Sequence, residues 1–297
     1  MFYRSIFEDS NKVETPPNVE EIRKFWSEKI WGDAEKYKGK PSWYKEVEKN
    51  YSNVKEQSWD GITENEINNQ LMKSMNWKAP GVDCLSNFWL KNMPSSFPLL
   101  AESMNSFVAN PELLPDWVVR GRTTLLPKSN KTSDATQYRP ITCLGTYWKC
   151  LSGILSDKIT DHLNQSSILA PEQQGAIKHS YGTKTQLIIN KTVVEDAIRR
   201  RKDLSMVYID YAKAYDSVPH QWTLDIMSAY KISPVIINFL SAAMKLWRTD
   251  LYLFYEGGCL IVNDVQFKRG IYQGDSLSPL LFIISINPLS LLLNRRC

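Results

Sequence analysis

The feature that most constrains the fold is a pair of short apolar segments joined by two adjacent glycines. Residues 251–255 read LYLFY, residues 259–262 read CLIV, and Gly257 and Gly258 lie between them. Aromatic and β-branched residues favour strands, and glycine readily adopts the backbone angles of a tight turn. The pattern therefore predicts a β-hairpin.

Several segments carry the apolar spacing or the end signals of helices. Thr63 and Glu66 form a capping box ahead of one helix. The other predicted helices cover residues 21–30, 98–108 and 147–163, the stretch from Thr183 to the basic run at 199–202, and the segments that open near Ser217-Pro219 and at Ser233-Pro234. Residues 122–126 and 138–143 are predicted to be extended. Strands separated by helices and a hairpin indicate an α+β or α/β fold.

Composition excludes several classes of protein. With 297 residues, of which 43% are hydrophobic, the chain can bury a core in one large domain or two smaller ones. Its five cysteines include no CxxC pair and its three histidines are scattered, so we expect neither a zinc site nor a disulfide framework, but a reducing compartment. Glu8 and Asp9 come too close to the N-terminus to leave room for the apolar region of a signal peptide. The apolar residues 277–293 contain Asn287 and two prolines, which favours a buried helix over a membrane span.

The net charge of +4 says little about partners, because polyanion binding depends on where charge lies. The stretch from Asp116 to Lys149 contains only two acidic residues, Asp116 and Asp134. Its basic residues are Arg120, Arg122, Lys128, Lys131, Arg139 and Lys149. It could face phosphates or form an ordinary solvated surface. Residues 1–60 carry Trp26, Trp31, Trp43 and Trp59, which we expect to dock on the main body.

Asp210 is the candidate metal ligand. It follows residues 206–209 (MVYI), predicted to be a short apolar strand, and hard cations need carboxylates held on a rigid frame. The alternative is an Asp that caps a strand-to-helix turn. Asp216, six residues later, is interpreted as helping to cap the helix that follows Ser217.

Two further patterns are typical of phosphate or nucleotide contact. Gln273-Gly274 stands before a Ser-Pro helix start, and the glycine would let the backbone approach a nucleotide closely. Lys128 and Arg139 flank a polar loop and could clamp a triphosphate. Each pattern alone also fits an ordinary surface.

Taken in order, these motifs resemble those of the reverse transcriptases of non-LTR retrotransposons, and most those of the Dong-type lineage, which carries a restriction-like endonuclease. The matching pieces are KAPGVD (78–83), LLPK (125–128), YRPITCL (138–144), PEQQG (171–175), DYAKAYDSV (210–218) and RGIYQGDSLSP (269–279). The resemblance runs from about residue 63 to the end. Residues 1–60 are similar, less specifically, to the region upstream of the polymerase in such elements.

The resemblance implies an α+β right-hand polymerase with an RNA template, a DNA primer and two Mg²⁺ ions. It implies fingers at about 61–200 and 219–272, a partial palm at about 201–218 and 273–297, and a nuclear location. Asp210 would be the first metal-binding, catalytic carboxylate. Lys128 and Arg139 would hold the triphosphate, and Tyr215 would lie under the incoming sugar and disfavour a 2′-hydroxyl. Ala214 would also bind the nucleotide, and Gln273 and Gly274 would lie beside the nucleotide and template.

One departure from the family pattern bears on activity. The family's next motif is an aromatic–x–Asp–Asp hairpin that supplies the second metal-binding carboxylate, and this sequence has no Asp-Asp pair. We therefore expect a domain that lacks the thumb, is inactive alone, and exposes the apolar face that the hairpin would cover. The alternatives are a non-catalytic nucleic-acid-binding remnant or domesticated protein, and a group II intron maturase-like polymerase.

Overall fold

The computed structural model describes residues 15–32, 37–128, 132–177, 180 and 182–296. Lys131 of the basic stretch, His179, Cys297 and the first fourteen residues of the N-terminal extension lie outside the described residues.

One mixed sheet of four strands runs through the described part of the chain. Its strands are β1 (Gly121–Pro127), β2 (Tyr138–Cys143), β3 (Arg248–Tyr255) and β4 (Gly258–Gln266). Their order is β2-β1-β3-β4, with β1 antiparallel to β2 and parallel to β3, and β3 antiparallel to β4. The predicted hairpin and both predicted extended segments are confirmed, and the fold is α+β.

Helices account for most of the remaining regular structure. The α-helices are α1 (Val19–Arg23), α2 (Tyr44–Asn50), α3 (Glu64–Lys73), α4 (Asn87–Lys91), α5 (Phe97–Ala109), α6 (Asp116–Val119), α7 (Thr146–Gln165), α8 (Thr183–Arg200), α9 (His220–Ala229), α10 (Pro234–Leu246) and α11 (Ser278–Arg296). Residues Lys24–Ile30 continue α1 as a π-helix.

Local signals explain where several helices begin. The Thr63 hydroxyl accepts a hydrogen bond from the Glu66 N–H (3.3 Å), and the Glu66 carboxylate accepts one from the Thr63 N–H (2.8 Å). This reciprocal pair confirms the capping box at the start of α3. Ser233 precedes Pro234 at the start of α10, where the missing proline N–H costs no helical hydrogen bond.

A single apolar core joins the N-terminal segment to the body of the protein. Trp26 and Trp31 are fully buried in it together with residues of α7, α9, α10 and α11. The prediction that the N-terminal aromatics dock on the main body is thus confirmed for these two residues.

Helix α11 illustrates how an apolar segment is used. Residues 278–295 are long and apolar enough to cross a membrane by length and composition, and 39% of them are buried inside the protein. Asn287 is fully buried, accepts a hydrogen bond from the Ala170 N–H (2.8 Å) and bonds to the Tyr230 hydroxyl (2.8 Å). A satisfied polar side chain packed inside the protein confirms the predicted buried helix for this part of α11.

The predicted strand at residues 206–209 is wrong. Residues 202–212, which we call the exposed segment, form no helix or strand and all are exposed; Val207 is 85% exposed. A strand needs a neighbour to satisfy its N–H and C=O groups, and no described strand lies beside this one. Helix α8 before it buries none of its residues, although Leu187, Ile188 and Ile198 are apolar.

Candidate nucleotide-binding site

A cavity of about 430 Å³ opens between the β1–β2 hairpin and the two segments that surround Tyr215 and Gln273. Its lining contains every residue that the sequence analysis assigned to nucleotide binding. The lining residues are Lys128, Tyr138, Arg139, Pro140, Ile141, Lys213, Ala214, Tyr215, Asp216, Gln273 and Gly274.

The β1–β2 hairpin brings Lys128 and Arg139 to the same wall. Arg139 pairs with Leu126 across the strands, and the Lys128 N–H donates to the carbonyl of Gln137 (2.8 Å) just beyond the end of β1. Alternation along β2 buries Tyr138 and exposes Arg139. Both cations are therefore exposed at the cavity.

Other members of the predicted basic stretch are engaged inside the protein. The Arg120 guanidinium lies 2.9 Å from the Asp250 carboxylate. The Lys149 ammonium donates to the carbonyl of Ala79 (3.0 Å), and burial lowers the pKa of Lys149. Among the described residues of the basic stretch, Lys128 and Arg139 are the cations that line the cavity.

Backbone hydrogen bonds tie the two remaining walls together. The Ile271 N–H donates to the carbonyl of Tyr215 (2.9 Å), and the Gly270 N–H donates to that of Val218 (2.7 Å). Gly270 has φ +86°, and a Cβ there would lie 2.8 Å from the Asp216 carbonyl oxygen. Only glycine fits this close approach without strain.

Gln273-Gly274 is held against β2. The Thr142 N–H donates to the carbonyl of Gln273 (2.8 Å). Gly274 has φ +130°, and a Cβ there would lie 2.4 Å from the carbonyl oxygen of Thr142. The glycine therefore has a backbone reason to be at this position, and its close approach to β2 closes one side of the cavity.

The Tyr215 ring forms part of the cavity floor. It is half-buried and lies 5.2 Å, between ring centroids, from Phe282 of α11. Burial raises the pKa of Tyr215, so the phenol is neutral at physiological pH.

Two charged cavity residues were not assigned to the site from the sequence. Lys213 donates to the carbonyls of Tyr138 (3.1 Å) and Thr136 (3.3 Å), which links the segment before Tyr215 to the hairpin. Burial, followed by the charge of Lys128, lowers the pKa of Lys213 to about 8. No local pattern marks this lysine, because its partners are backbone carbonyls distant in sequence.

The helix-capping role expected of Asp216 is wrong. Asp216 is 1% exposed and accepts hydrogen bonds from the Trp31 indole (3.2 Å) and the Gln273 side-chain amide (3.1 Å). Helix α9 begins at His220 after Pro219, without a side-chain cap. Burial raises the pKa of Asp216 to about 6, against the opposing effect of Lys213.

Asp210 lies apart from this group. It belongs to the exposed segment and does not line the cavity. Among the residues that the structure describes, no three His, Cys, Asp or Glu side chains are close enough together to hold a metal ion. The structure thus brings together the six predicted nucleotide-binding residues but not the predicted metal ligand.

Comparison with known proteins identifies the family. Residues 126–297, more than half of the chain, match the family described as reverse transcriptase (RNA-dependent DNA polymerase). The chain is 26% identical over 79% of its length to the transposon TX1 uncharacterized 149 kDa protein of Xenopus laevis, covering 17% of that protein. It is 24% identical over 76% of its length to the Pol polyprotein of element R2DM from Drosophila melanogaster, covering 20% of it.

A third relative is the RNA-directed DNA polymerase from mobile element jockey of Drosophila funebris, 24% identical over 76% of this chain and 24% of that protein. The chain therefore matches about a fifth of the length of these relatives. Their names do not favour an intron maturase. The chain belongs to the reverse transcriptase family, as a polymerase domain of the non-LTR retroelement type.

Proposed function

We propose that the cavity binds the incoming deoxynucleoside triphosphate of an RNA-directed DNA polymerase. One observation carries this proposal: six residues that resemble the family's nucleotide contacts, from three separate parts of the sequence, line a single cavity. These residues span almost 150 positions of the sequence, and we would not expect them to meet at one cavity by chance.

Lys128 and Arg139, two exposed cations of the hairpin, would contact the triphosphate. Lys128 offers a compact charge and Arg139 a planar group that can hold two phosphate oxygens at once. Both lie on a short hairpin whose backbone is fixed by the pairing of β1 with β2. A triphosphate between them would neutralise charges that otherwise repel one another and Lys213.

The sugar would lie over Tyr215. Because the Tyr215 ring packs against Phe282, it would have little room to move away from a ribose 2′-hydroxyl. The base and the template strand would then lie near Gln273 and Gly274, whose backbone is held by Thr142.

In this assignment β1, β2, β3 and β4 belong to the fingers, and residues 201–218 and 273–297 to a partial palm. The reaction would be extension of a DNA primer 3′ end on an RNA template, with release of pyrophosphate. An intracellular, nuclear site of action remains a prediction from the resemblance.

Divalent ions are general in the family, and Asp210 is the residue that would hold one. In the parts of the chain described, however, Asp210 has no cluster of further ligands, and both oxygens of Asp216 already accept hydrogen bonds. These residues alone do not fit a two-ion site. We therefore expect nucleotide binding without efficient primer extension by this chain.

The proposal is tested by equilibrium binding of dATP to the purified chain. Lys128→Ala and Arg139→Ala should each weaken binding by about tenfold to a hundredfold, the usual effect of losing a charge-assisted hydrogen bond. Lys184→Ala, which removes an exposed lysine of α8 outside the cavity, is the matched control. Tyr215→Ala should raise the affinity for ATP relative to dATP.

Two outcomes would contradict the proposal. Equal dATP affinity in all four variants would mean that the cavity is not the site. Binding of template RNA that is unaffected by Asp210→Ala, with no binding of dATP, would favour a non-catalytic nucleic-acid-binding protein.

A further inference from the structure

The N-terminal segment, residues 18–31, packs against two residues that line the cavity, Lys213 and Asp216. The Lys268 N–H donates to the carbonyl of Trp31 (2.9 Å), and the Arg269 guanidinium donates to the carbonyls of Lys29 (2.7 Å) and Ile30. The Trp31 ring stacks on Phe267 with centroids 4.0 Å apart. These contacts fix Trp31 against the strand end that leads to Gln273.

The segment reaches two charged residues of the cavity through its tryptophans. The Lys213 ammonium lies 4.4 Å from the centroid of the Trp26 ring, a favourable cation–π distance. The Trp31 indole N–H donates to Oδ1 of Asp216 (3.2 Å). Residues 185 positions apart in sequence thus meet at the back of the cavity.

Asp216 relays this contact to the cavity surface. Its second oxygen, Oδ2, accepts a hydrogen bond from the Gln273 side-chain nitrogen at 3.1 Å. An ionised carboxylate only accepts hydrogen bonds, so the amide of Gln273 must present its nitrogen to Asp216. A rotated amide would place its oxygen against the carboxylate, which is repulsive.

We propose that Trp31 is a positioning residue for the nucleotide cavity, which acts through Asp216 to hold the side-chain amide of Gln273 in one orientation. The expected effect on nucleotide binding rests on the proposed function, because the oriented amide lies where the nucleotide is proposed to bind. The N-terminal segment is then part of the nucleotide site rather than a separate module.

The ionisation of Asp216 controls the orienting contact. The charged groups that face Asp216 are Lys213 of its own segment and Lys128 of the hairpin, and both favour the carboxylate. Burial opposes them and brings the pKa to about 6, while the Trp31 and Gln273 hydrogen bonds lower it. Loss of the Trp31 N–H should therefore move the titration of Asp216 to higher pH.

The first test is the pH titration of the Gln273 side-chain amide resonances in the ¹⁵N-glutamine-labelled chain. In Trp31→Phe, which keeps an aromatic ring on Phe267, the midpoint should move to higher pH. Trp247→Phe is the matched control, because Trp247 is also fully buried and its indole N–H has no hydrogen-bond partner in the described residues. Equal midpoints in Trp31→Phe and the unaltered chain would overturn the proposal.

The second test is a double-mutant cycle on dATP affinity. Trp31→Phe and Asp216→Asn should each weaken binding by about tenfold, and the double variant should lose little more, because both changes break one chain of contacts. Additive losses would overturn the proposal. The amide titration needs no nucleotide, so failure of the unaltered chain to bind dATP would contradict the proposed function and leave the titration to decide this inference.

Discussion

Two adjacent stretches of the chain have opposite surroundings. Of residues 213–218, the first four line the cavity, Asp216 is 1% exposed, and the carbonyls of Tyr215 and Val218 accept backbone hydrogen bonds. Residues 202–212 are all exposed and have no regular structure. The boundary between this packed half and this unpacked half falls inside the motif at 210–218.

The two halves differ in the partners that the protein provides for them. The packed half finds its partners in β2, in the segment 269–274 and in the N-terminal segment. The unpacked half contains Asp210, and its residues 206–209 have the composition of a strand, but the described sheet offers them no neighbour. The proposed nucleotide site can therefore be preformed while the predicted metal site is not.

The largest expected effect is on stability and separates the packed from the unpacked parts of the chain. Ile284→Ala in α11 removes a fully buried side chain and should lower the free energy of unfolding by about 2–5 kcal/mol. The same change at Ile198 of α8, 72% exposed, should cost less than about 0.5 kcal/mol. Chemical denaturation measures both values, and similar losses would mean that α8 is packed as well as α11.

The next effect concerns the backbone at the packed half. Gly274→Ala should destabilise the protein by about 1–3 kcal/mol and weaken dATP binding, since φ +130° is strained for alanine and Thr142 occupies the space of the Cβ. Gly175→Ala is the control, because its Cβ would meet only the end of the Gln173 side chain at 3.8 Å. Thermal unfolding should show the loss of stability and dATP titration the loss of affinity. If Gly274→Ala changed neither, the close approach of Gly274 to Thr142 would be refuted.

The pH dependence of stability gives a smaller effect. The pKa of Asp216 is raised from 3.8 to about 6 in the folded protein, so between these values the unfolded chain releases a proton that the folded chain keeps. Stability should therefore fall as pH rises from about 4 to 6, by roughly 1–3 kcal/mol from this group.

Asp216→Asn should remove that contribution and flatten the stability profile over this range. Denaturation of both proteins at a series of pH values measures the difference. A profile that keeps its slope in Asp216→Asn would show that the carboxylate is not buried as the hydrogen bonds to Trp31 and Gln273 require.

The smallest effect is expected in the exposed segment. Val207→Ser should change the free energy of unfolding by no more than about 0.5 kcal/mol, because the side chain is already in water. It should also raise solubility by reducing an apolar surface. A loss above about 1 kcal/mol in urea denaturation would mean that residues 206–209 pack against the protein after all.

Features whose signal lies within a few residues could be predicted from the sequence, whereas features that depend on a distant partner could not. The hairpin at Gly257-Gly258 and the capping box of Thr63 and Glu66 each depend on residues that are close together in sequence, so both could be predicted. The contact between Trp31 and Asp216 could not, because no spacing rule connects positions so far apart. The sequence near Asp216 indicates a helix cap. The side chain is instead buried and accepts hydrogen bonds from Trp31 and Gln273, which are distant in sequence.

The segment at 206–209 failed for a related reason. Its composition indicates a strand, but composition does not say whether a neighbouring strand is present to pair with it. The six nucleotide-binding residues were predicted from a family resemblance between ordered motifs. That the β1–β2 hairpin, Tyr215 and Gln273 border one cavity is a property of the fold that no single motif contains.

The most direct test of the central claim is hydrogen exchange of the chain with and without dATP. We expect dATP to slow amide exchange at residues 138–142 and 270–274, whereas residues 203–212 should exchange rapidly in both conditions. Protection that appears only elsewhere, or no protection by dATP at concentrations that saturate binding, would contradict the assignment of this cavity as the nucleotide site.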